Sequence, residues 1–394
     1  MKIDHIHFFV EDAACQRDWF VQHLGWTSLS QATLPDRYLE VLRYRDTLFV
    51  LSSPRTADSP VAEYLRSYAQ GVADVAVEVS DLRATLNRLG TSVKPQTALS
   101  SSLSQLVGLN QGASPSVWAS IGGWGGLRHT LIERSPVSAM AEPQGAVSSE
   151  KISSSDYRSV YFSGLRSQES FQSSNTDTTV SKGIDHIVLN VPAGELQPAV
   201  EFYQELFDLQ KQQSFNIQTS QSGLCSQVLF APASQLYFNI NEPTNASSQI
   251  QTFLDANHGA GIQHIALHSD PIVPTVTTLR QRGLSLLSVP LTYYKQLKQR
   301  LYQRLAAPVQ PSEWQQIVAQ QILLDWQPKQ PESLLLQIFS RPIFQDNHFF
   351  FEFIERRRAV KGFGEGNFLA LYKAIEAAET DSATDWQSLA PEAS

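Results

Sequence analysis

The chain has 394 residues, an apolar fraction of 42% with 10% aromatics, and a formal net charge of −8 at a pI near 5.6. This length and apolar content predict two domains of ordinary size with real cores, and the mild acidity, without a long basic run, argues against a nucleic-acid surface. Cys15 and Cys225 offer neither a disulfide framework nor a zinc spacing, no apolar run approaches a membrane span, and no signal-peptide pattern precedes the first strand, so a cytoplasmic protein is expected.

Residues 3–10 read as a strand and 12–24 as a helix with Trp19, Phe20 and Leu24 on its apolar side. Residues 38–45 and 47–52 read as paired strands, followed by a strand at 72–79, a helix at 81–89 and a strand at 127–132. These make a first domain, 1–135. Residues 136–182 are rich in serine and poor in periodicity, which reads as a linker with at most a short ordered piece at 157–162. A second domain, 183–380, opens with a strand at 184–191 and a helix at 199–206. Strands at 228–230 and 236–240, a helix at 249–257 and a strand at 261–268 follow. A helix at 273–282 ends at Gly283, a C-cap glycine. A helix at 314–319 and strands at 334–339 and 349–356 come next. A last helix at 367–378 aligns Phe368, Leu371, Tyr372 and Ile375 on one face. Residues 381–394 are a tail.

The second half repeats the first. Ile3-Asp4-His5 recurs as Ile184-Asp185-His186 at an offset of 181. Gly71 to Ala76 recurs as Gly261 to Ala266 at 190, and Leu131-Ile132-Glu133-Arg134 as Phe353-Ile354-Glu355-Arg356 at 222. The growing offset predicts insertions in the second half, around 295–330. Both halves are expected to be copies of one αβ unit.

Three strands of the second half each carry one metal-competent side chain in apolar surroundings: His186, His264 and Glu352. A carboxylate in a strand of phenylalanines is costly unless it is hydrogen-bonded, paired or bound to metal. The neighbouring Arg356, Arg357 and Arg358 are the obvious pairing alternative. Two histidines and one carboxylate on separate strands form a facial triad that leaves positions open on Fe(II). The first half has His5, Asp74 and Thr130 at the matching places, so the metal site is expected in the second half alone.

The ordered pieces Asp185-His186, Ser222-Gly223-Leu224, Asn241-Glu242-Pro243, Ser248-Gln249-Ile250, Gly261-Ile262-Gln263-His264, Leu335 to Phe339, Phe351-Glu352 and Gly362 to Phe368 resemble the 4-hydroxyphenylpyruvate dioxygenase family. The first half resembles the family's N-terminal domain only in pattern. The resemblance implies an α+β protein of two vicinal-oxygen-chelate domains, each of paired βαβββ modules forming an open, cupped barrel. It implies Fe(II) on His186, His264 and Glu352, with Glu355 facing away because odd spacing along a strand reverses the side chain. It implies polar catalytic and substrate-holding roles for Gln249, Gln263, Gln337, Asn241 and Ser226, and a pocket of Phe339, Phe350, Phe363, Asn367 and Phe368. The implied reaction takes 4-hydroxyphenylpyruvate and O2 to homogentisate and CO2, in tyrosine breakdown or quinone supply, and self-association is expected. A 4-hydroxymandelate synthase, an extradiol catechol dioxygenase and a metal-free binding protein of the same fold are the alternatives. Cys225, the serine-rich linker and the glutamine-rich 295–330 depart from the family's pattern.

Overall fold

The structure, a computed structural model, describes residues 1–89, 116–134, 183–218, 222–302, 309–327, 330–344, 347–360, 362–364 and 366–367. The linker 136–182 with its piece at 157–162, the final helix beyond residue 367, Phe368 and the tail 381–394 lie outside the described residues.

The first sheet contains β1 (Lys2–Phe9), β2 (Thr27–Thr33), β3 (Arg37–Tyr44), β4 (Thr47–Pro54), β5 (Gly71–Val79), β6 (Ser116–Gly122) and β7 (Arg128–Arg134), in the order β2-β3-β4-β1-β5-β7-β6. The second contains β8 (Ile184–Asn190), β9 (Gln210–Gln218), β10 (Gly223–Ala231), β11 (Leu236–Pro243), β12 (Gly261–His268), β13 (Leu323–Gln327), β14 (Gln330–Phe339) and β15 (Phe350–Arg356), in the order β13-β14-β15-β12-β8-β11-β10-β9. Taken from its other edge, the second order repeats the first, with β13 added. In each sheet a central antiparallel pair, β1–β5 or β8–β12, is flanked by parallel pairs, β1–β4 and β5–β7 or β8–β11 and β12–β15. This is the expected α+β fold of paired vicinal-oxygen-chelate modules.

The helices are α1 (Ala13–Trp19), α2 (Pro60–Ser67), α3 (Leu82–Leu89), α4 (Leu196–Phe207), α5 (Gln249–Ala256), α6 (Ile272–Gln281), α7 (Leu291–Tyr302) and α8 (Pro311–Ala319). The helix expected over 12–24 is two elements: α1, capped by Asp12 accepting from the Cys15 N–H, and a π-helical turn at Phe20–Leu24. Gly283 adopts φ +79° after α6, and the Leu284 N–H reaches back to the Leu279 carbonyl, the C-terminal turn that glycine permits. The insertion inferred from the offsets contains α7, α8 and β13. No helix among the described residues is long and apolar enough to cross a membrane.

The two halves share irregularities as well as order. In the first, Ile3 pairs with Val77 and His5 with Ala76, leaving Asp4 as an extra residue, while His7–Asp74 followed by Phe8–Val72 leaves Ala73 extra. In the second, Leu267–Ile184 followed by Ala266–His186 leaves Asp185 extra, and His264–Val188 followed by Ile262–Leu189 leaves Gln263 extra. The bulges fall at matching positions of the repeat. The Glu133 carboxylate accepts the first amide of α3, from Leu82, and Glu355 accepts that of α6, from Ile272, each at 2.7 Å.

One apolar core runs through both halves. Phe351 of β15 packs edge-on against Phe20 and Trp26, and Phe8 against Phe349. A polar link crosses the same core. His129 is fully buried; its Nδ1 lies 3.2 Å from the Val75 carbonyl, and its Nε2 lies 3.0 Å from the Tyr203 hydroxyl on α4. The imidazole therefore donates at Nδ1 and accepts at Nε2. Burial pushes its pKa down to about 4, against a weaker upward pull from Asp74 and the Val75 carbonyl. The unfolded chain takes up this proton near the ordinary histidine pKa while the folded chain refuses it, so stability falls as the pH drops from 6.5 toward 4. Over that range the wild type should lose roughly 3 kcal/mol more than His129→Gln, measured by urea unfolding at stepped pH. Equal losses would remove His129 as the cause.

Candidate metal centre and active site

The centre of the second sheet runs β15-β12-β8, and these strands carry Glu352, His264 and His186 respectively. Strand register decides which way the three point. His264 pairs with Val188, two residues from His186, and so shares its face. Had the pairing continued unbroken from Ile262–Leu189, Gln263 would stand opposite Val188 and His264 would turn away. The Gln263 bulge prevents this. In the parallel ladder Glu352 lies beside Ala266 and Phe350 beside His264, which brings the carboxylate to the same face.

Glu352 Oε2 lies 3.1 Å from His186 Nε2 and 3.6 Å from His264 Nε2. One ligand atom from each residue lies within 4.8 Å of the others, and all three residues are buried. None of those three atoms has a hydrogen-bond partner among the described residues. Buried polar atoms are almost always satisfied, so three convergent exceptions need an explanation. A cation supplies one, since two imidazole nitrogens and one carboxylate oxygen are the donors such a site uses.

The arginine alternative is answered by geometry. Arg356 grips Asp185 through two bonds, at 2.6 and 2.8 Å. Arg357 pairs with Glu355 and Glu313, and Arg358 with Glu332. Asp185 in turn lies 2.8 Å from His186 Nδ1, which donates to it and turns Nε2 toward Glu352. Burial would raise Asp185, but Arg356 and His186 hold it well below the usual carboxylate range. Burial disfavours charge on His186, yet Glu352 and Asp185 outweigh it and lift the imidazole to about 9 without a cation. Burial and the nearby His186 push His264 well below its ordinary value. The buried acids are thus balanced by a proton that a metal ion would replace.

Residues 185–299 match the Glyoxalase/Bleomycin resistance protein/Dioxygenase superfamily. A Synechocystis sp. protein described as uncharacterised is 33% identical over 379 residues, spanning 96% of this chain and 98% of that one. The 4-hydroxyphenylpyruvate dioxygenase of Legionella pneumophila strain Corby is 41% identical over 193 residues, 49% of this chain and 53% of that one. That of Dictyostelium discoideum is 28% identical over 389 residues, 95% of this chain and 96% of that one. Over 95% of its length the chain is thus similar to 4-hydroxyphenylpyruvate dioxygenases. In fold it is similar to a triple mutant of 4-hydroxymandelate synthase from Streptomyces coelicolor, with a TM-score of 0.69 at 24% identity over 96% of this chain and 99% of that chain.

Around the triad the expected aromatics gather, apart from Phe368, which lies outside the described residues. Phe350 stacks on His264 at 4.7 Å and meets Phe339 edge-on at 6.0 Å. Phe363 stands edge-on to His186 at 5.2 Å and to Tyr237 at 5.1 Å. Further along the same face lie Ser226, Asn239, Asn241 and Asn190; Asn241 donates to Asn190 at 3.3 Å. Ser226 Oγ, Gln249 Nε2, Asn190 Nδ2 and Asn239 Oδ1 are buried without a partner among the described residues. Gln263 is the bulge residue beside His264.

Gln337 and Asn367 differ from their expected substrate-facing roles. Gln337 Nε2 donates to Glu352 Oε1 at 2.7 Å and to the Phe363 carbonyl at 3.1 Å, while its oxygen accepts from Asn367 at 2.8 Å. Asn367 Oδ1 lies 2.9 Å from the Tyr293 hydroxyl, which accepts from the Leu324 N–H. Both amides are committed to fixing the carboxylate so that Oε2 faces the histidines. Gly364, at φ +71°, passes so close that a Cβ would collide with Gln337.

Sequence reasoning did not single out Asn190, Asn239, Tyr237, Tyr293 or the Asp185–Arg356 pair. The signal for three of them was available: Asn190 is two steps of two from His186, and Tyr237 and Asn239 alternate along β11 with the expected Asn241. Cys225 points the other way, into an open groove of about 520 Å3 with Gln197, Asn216, Gln227 and Glu242, which contains none of the triad.

Glu352→Ala and His264→Ala should each abolish stoichiometric iron binding, read by metal analysis after anaerobic loading. Glu355→Ala should retain the metal and lose about 1 kcal/mol of stability, the usual worth of a helix cap. Metal loss in Glu355→Ala alone would exchange the assignments of the two glutamates.

Proposed function

We propose that this chain is an Fe(II)-dependent dioxygenase that converts 4-hydroxyphenylpyruvate and O2 to homogentisate and CO2. The observation that carries the reading is the convergence of three buried, unpartnered ligand atoms on His186, His264 and Glu352, in a chain similar to 4-hydroxyphenylpyruvate dioxygenases. Two neutral imidazoles and one carboxylate leave Fe(II) with one net positive charge, which suits an anionic 2-oxo acid. Fe(II), when bound, supplies the redox chemistry with O2 and leaves room for a chelating 2-oxo acid.

The protein's own residues hold, orient and dry the reactants. Asp185 fixes the His186 tautomer, and Gln337 fixes the Glu352 rotamer. Phe339, Phe350 and Phe363 wall the ring and exclude water. Ser226, Asn190, Asn241, Gln249 and Gln263 supply neutral hydrogen bonds for the distal phenol, and a buried neutral site avoids the cost of a charged partner. One oxygen atom of O2 enters the ring hydroxyl and the other the new carboxylate; the side chain migrates to the adjacent ring carbon and the original carboxyl leaves as CO2. A cytoplasmic, self-associating enzyme accompanies this reading.

The test is anaerobic loading with Fe(II), addition of 4-hydroxyphenylpyruvate and O2, and chromatography of the products. Homogentisate in equal amount to CO2 is expected. Hydroxymandelate instead would keep the metal site and reject ring hydroxylation. Loaded iron without oxygen uptake would reject the substrate.

A further inference from the structure

The two sheets can be compared rung by rung, because their ladders match in order and register. In the first sheet the distal rung is Phe9, Ser52 and Leu39, and the middle rung, one step nearer His5, is His7, Val50 and Val41. In the second the distal rung is Asn190, Asn241 and Ser226, and the middle rung, one step nearer His186, is Val188, Asn239 and Val228. The first face is mostly hydrocarbon, and its two polar side chains, His7 and Ser52, satisfy each other at 2.8 Å. Leu39, Val41 and Val50 form one cluster with Leu34, and Phe9 meets Tyr64 edge-on at 5.4 Å. At the matching places the second face has amides and a hydroxyl, three of them with a buried atom that has no partner among the described residues: Asn190 Nδ2, Ser226 Oγ and Asn239 Oδ1. The fold does not demand polarity at the place of Asn239, since its own copy has Val50 there.

The distal rung and Gln249 offer more donors and acceptors than one phenolic hydroxyl can use. Asn239 stands apart from that group. It lies roughly 7 Å nearer the metal along the strand, flanked on its rung by Val188 and Val228. It is 2% exposed, with Oδ1 unpartnered. An isolated buried acceptor costs free energy in the empty protein and recovers it only when a donor arrives. A ring seated between the triad and the distal rung puts the carbon next to the distal hydroxyl on this side.

Resting on the reading of the site as one for an aryl 2-oxo acid, we propose that Asn239 is a specificity-determining residue. It accepts a hydrogen bond from a second hydroxyl on the ring carbon adjacent to the distal one. The site therefore favours an aryl 2-oxo acid with two neighbouring ring hydroxyls over one with a single hydroxyl.

The test uses the Fe(II)-loaded full chain without O2, titrated calorimetrically with 3,4-dihydroxyphenylpyruvate and 4-hydroxyphenylpyruvate, in wild type and in the near-isosteric Asn239→Leu. The dihydroxy ligand should lose about tenfold in affinity in Asn239→Leu, the worth of one buried hydrogen bond. The monohydroxy ligand should change by less than about twofold, since it leaves the amide unused. Asn239→Leu should also melt no lower than wild type, because it removes a buried amide oxygen that has no partner among the described residues. An unchanged dihydroxy affinity, an equal loss for both ligands or a lowered Tm would each overturn the proposal, the last two by marking Asn239 as general support. Homogentisate formation is followed on the same preparations. Its absence with the Asn239-dependent preference intact rejects the reaction and not the residue; its presence without that preference rejects the residue alone.

Discussion

Glu352 has no exposed surface and stands in a strand of phenylalanines. Removing a carboxylate from water costs several kcal/mol even after relaxation, and the surrounding structure answers that cost in two directions. Oε1 receives the Gln337 amide, which is held by Asn367, itself held by Tyr293 and, through it, the Leu324 backbone. Oε2 is left to the two histidines. The arginines four to six residues downstream are engaged elsewhere, so the negative charge is kept for whatever occupies the centre. A carboxylate neutralised by Arg356 would have been cheaper and inert.

The convergence depends on two irregularities in strand pairing. The extra residue at Gln263 turns His264 onto the face of His186, and the extra residue at Asp185 sets the aspartate beside the histidine it orients. Both bulges recur in the first sheet, at Ala73 and Asp4, and the Asp4–His5 contact at 2.7 Å repeats Asp185–His186 at 2.8 Å. The ligand-presenting backbone is therefore common to both halves. What differs is side chains. Asp74, in the place of His264, accepts from the backbone N–H and the hydroxyl of Thr130, which stands in the place of Glu352. One copy of the module satisfies its central polar groups internally and the other leaves them for a ligand.

The repeat, the central strands and the triad were legible because each is written in a strong pattern: apolar strands interrupted by one polar residue, at matching offsets. Four strands were not legible, β2, β6, β9 and β13, and they are the four edges of the two sheets. β9, Gln210–Gln218, is mostly exposed and owes its conformation to the ladder with β10 rather than to alternation. The role of Gln337 was not legible either. Its place two residues before Phe339 puts it on the right face, but which partner its amide finds depends on the return of the chain at Phe363 and Asn367, a contact between distant segments. Tyr293 and Tyr294, just before the glutamine-rich insertion, were hidden for a related reason: their hydroxyls hold Leu324 of β13 and Ile322 just before it, contacts that exist only once the sheet has formed.

The groups that position the two outer ligands also seat the segment that closes over them. Arg356, while holding Asp185 and through it His186, donates to the carbonyls of Gly362 at 2.7 Å and Val360 at 3.3 Å, and lies 5.5 Å from the rings of Tyr237 and Phe363. Gln337, while holding Glu352, donates to the Phe363 carbonyl. Val360, Gly362, Phe363 and Asn367 therefore share their hydrogen bonds with the supports of His186 and Glu352. Displacing that segment withdraws partners from both supports at once, and buried groups left unpaired in this way are costly. The triad and the cover of the site are in this sense one cooperative unit, in which the order of Phe363 over the pocket and the aim of the three convergent atoms stand or fall together.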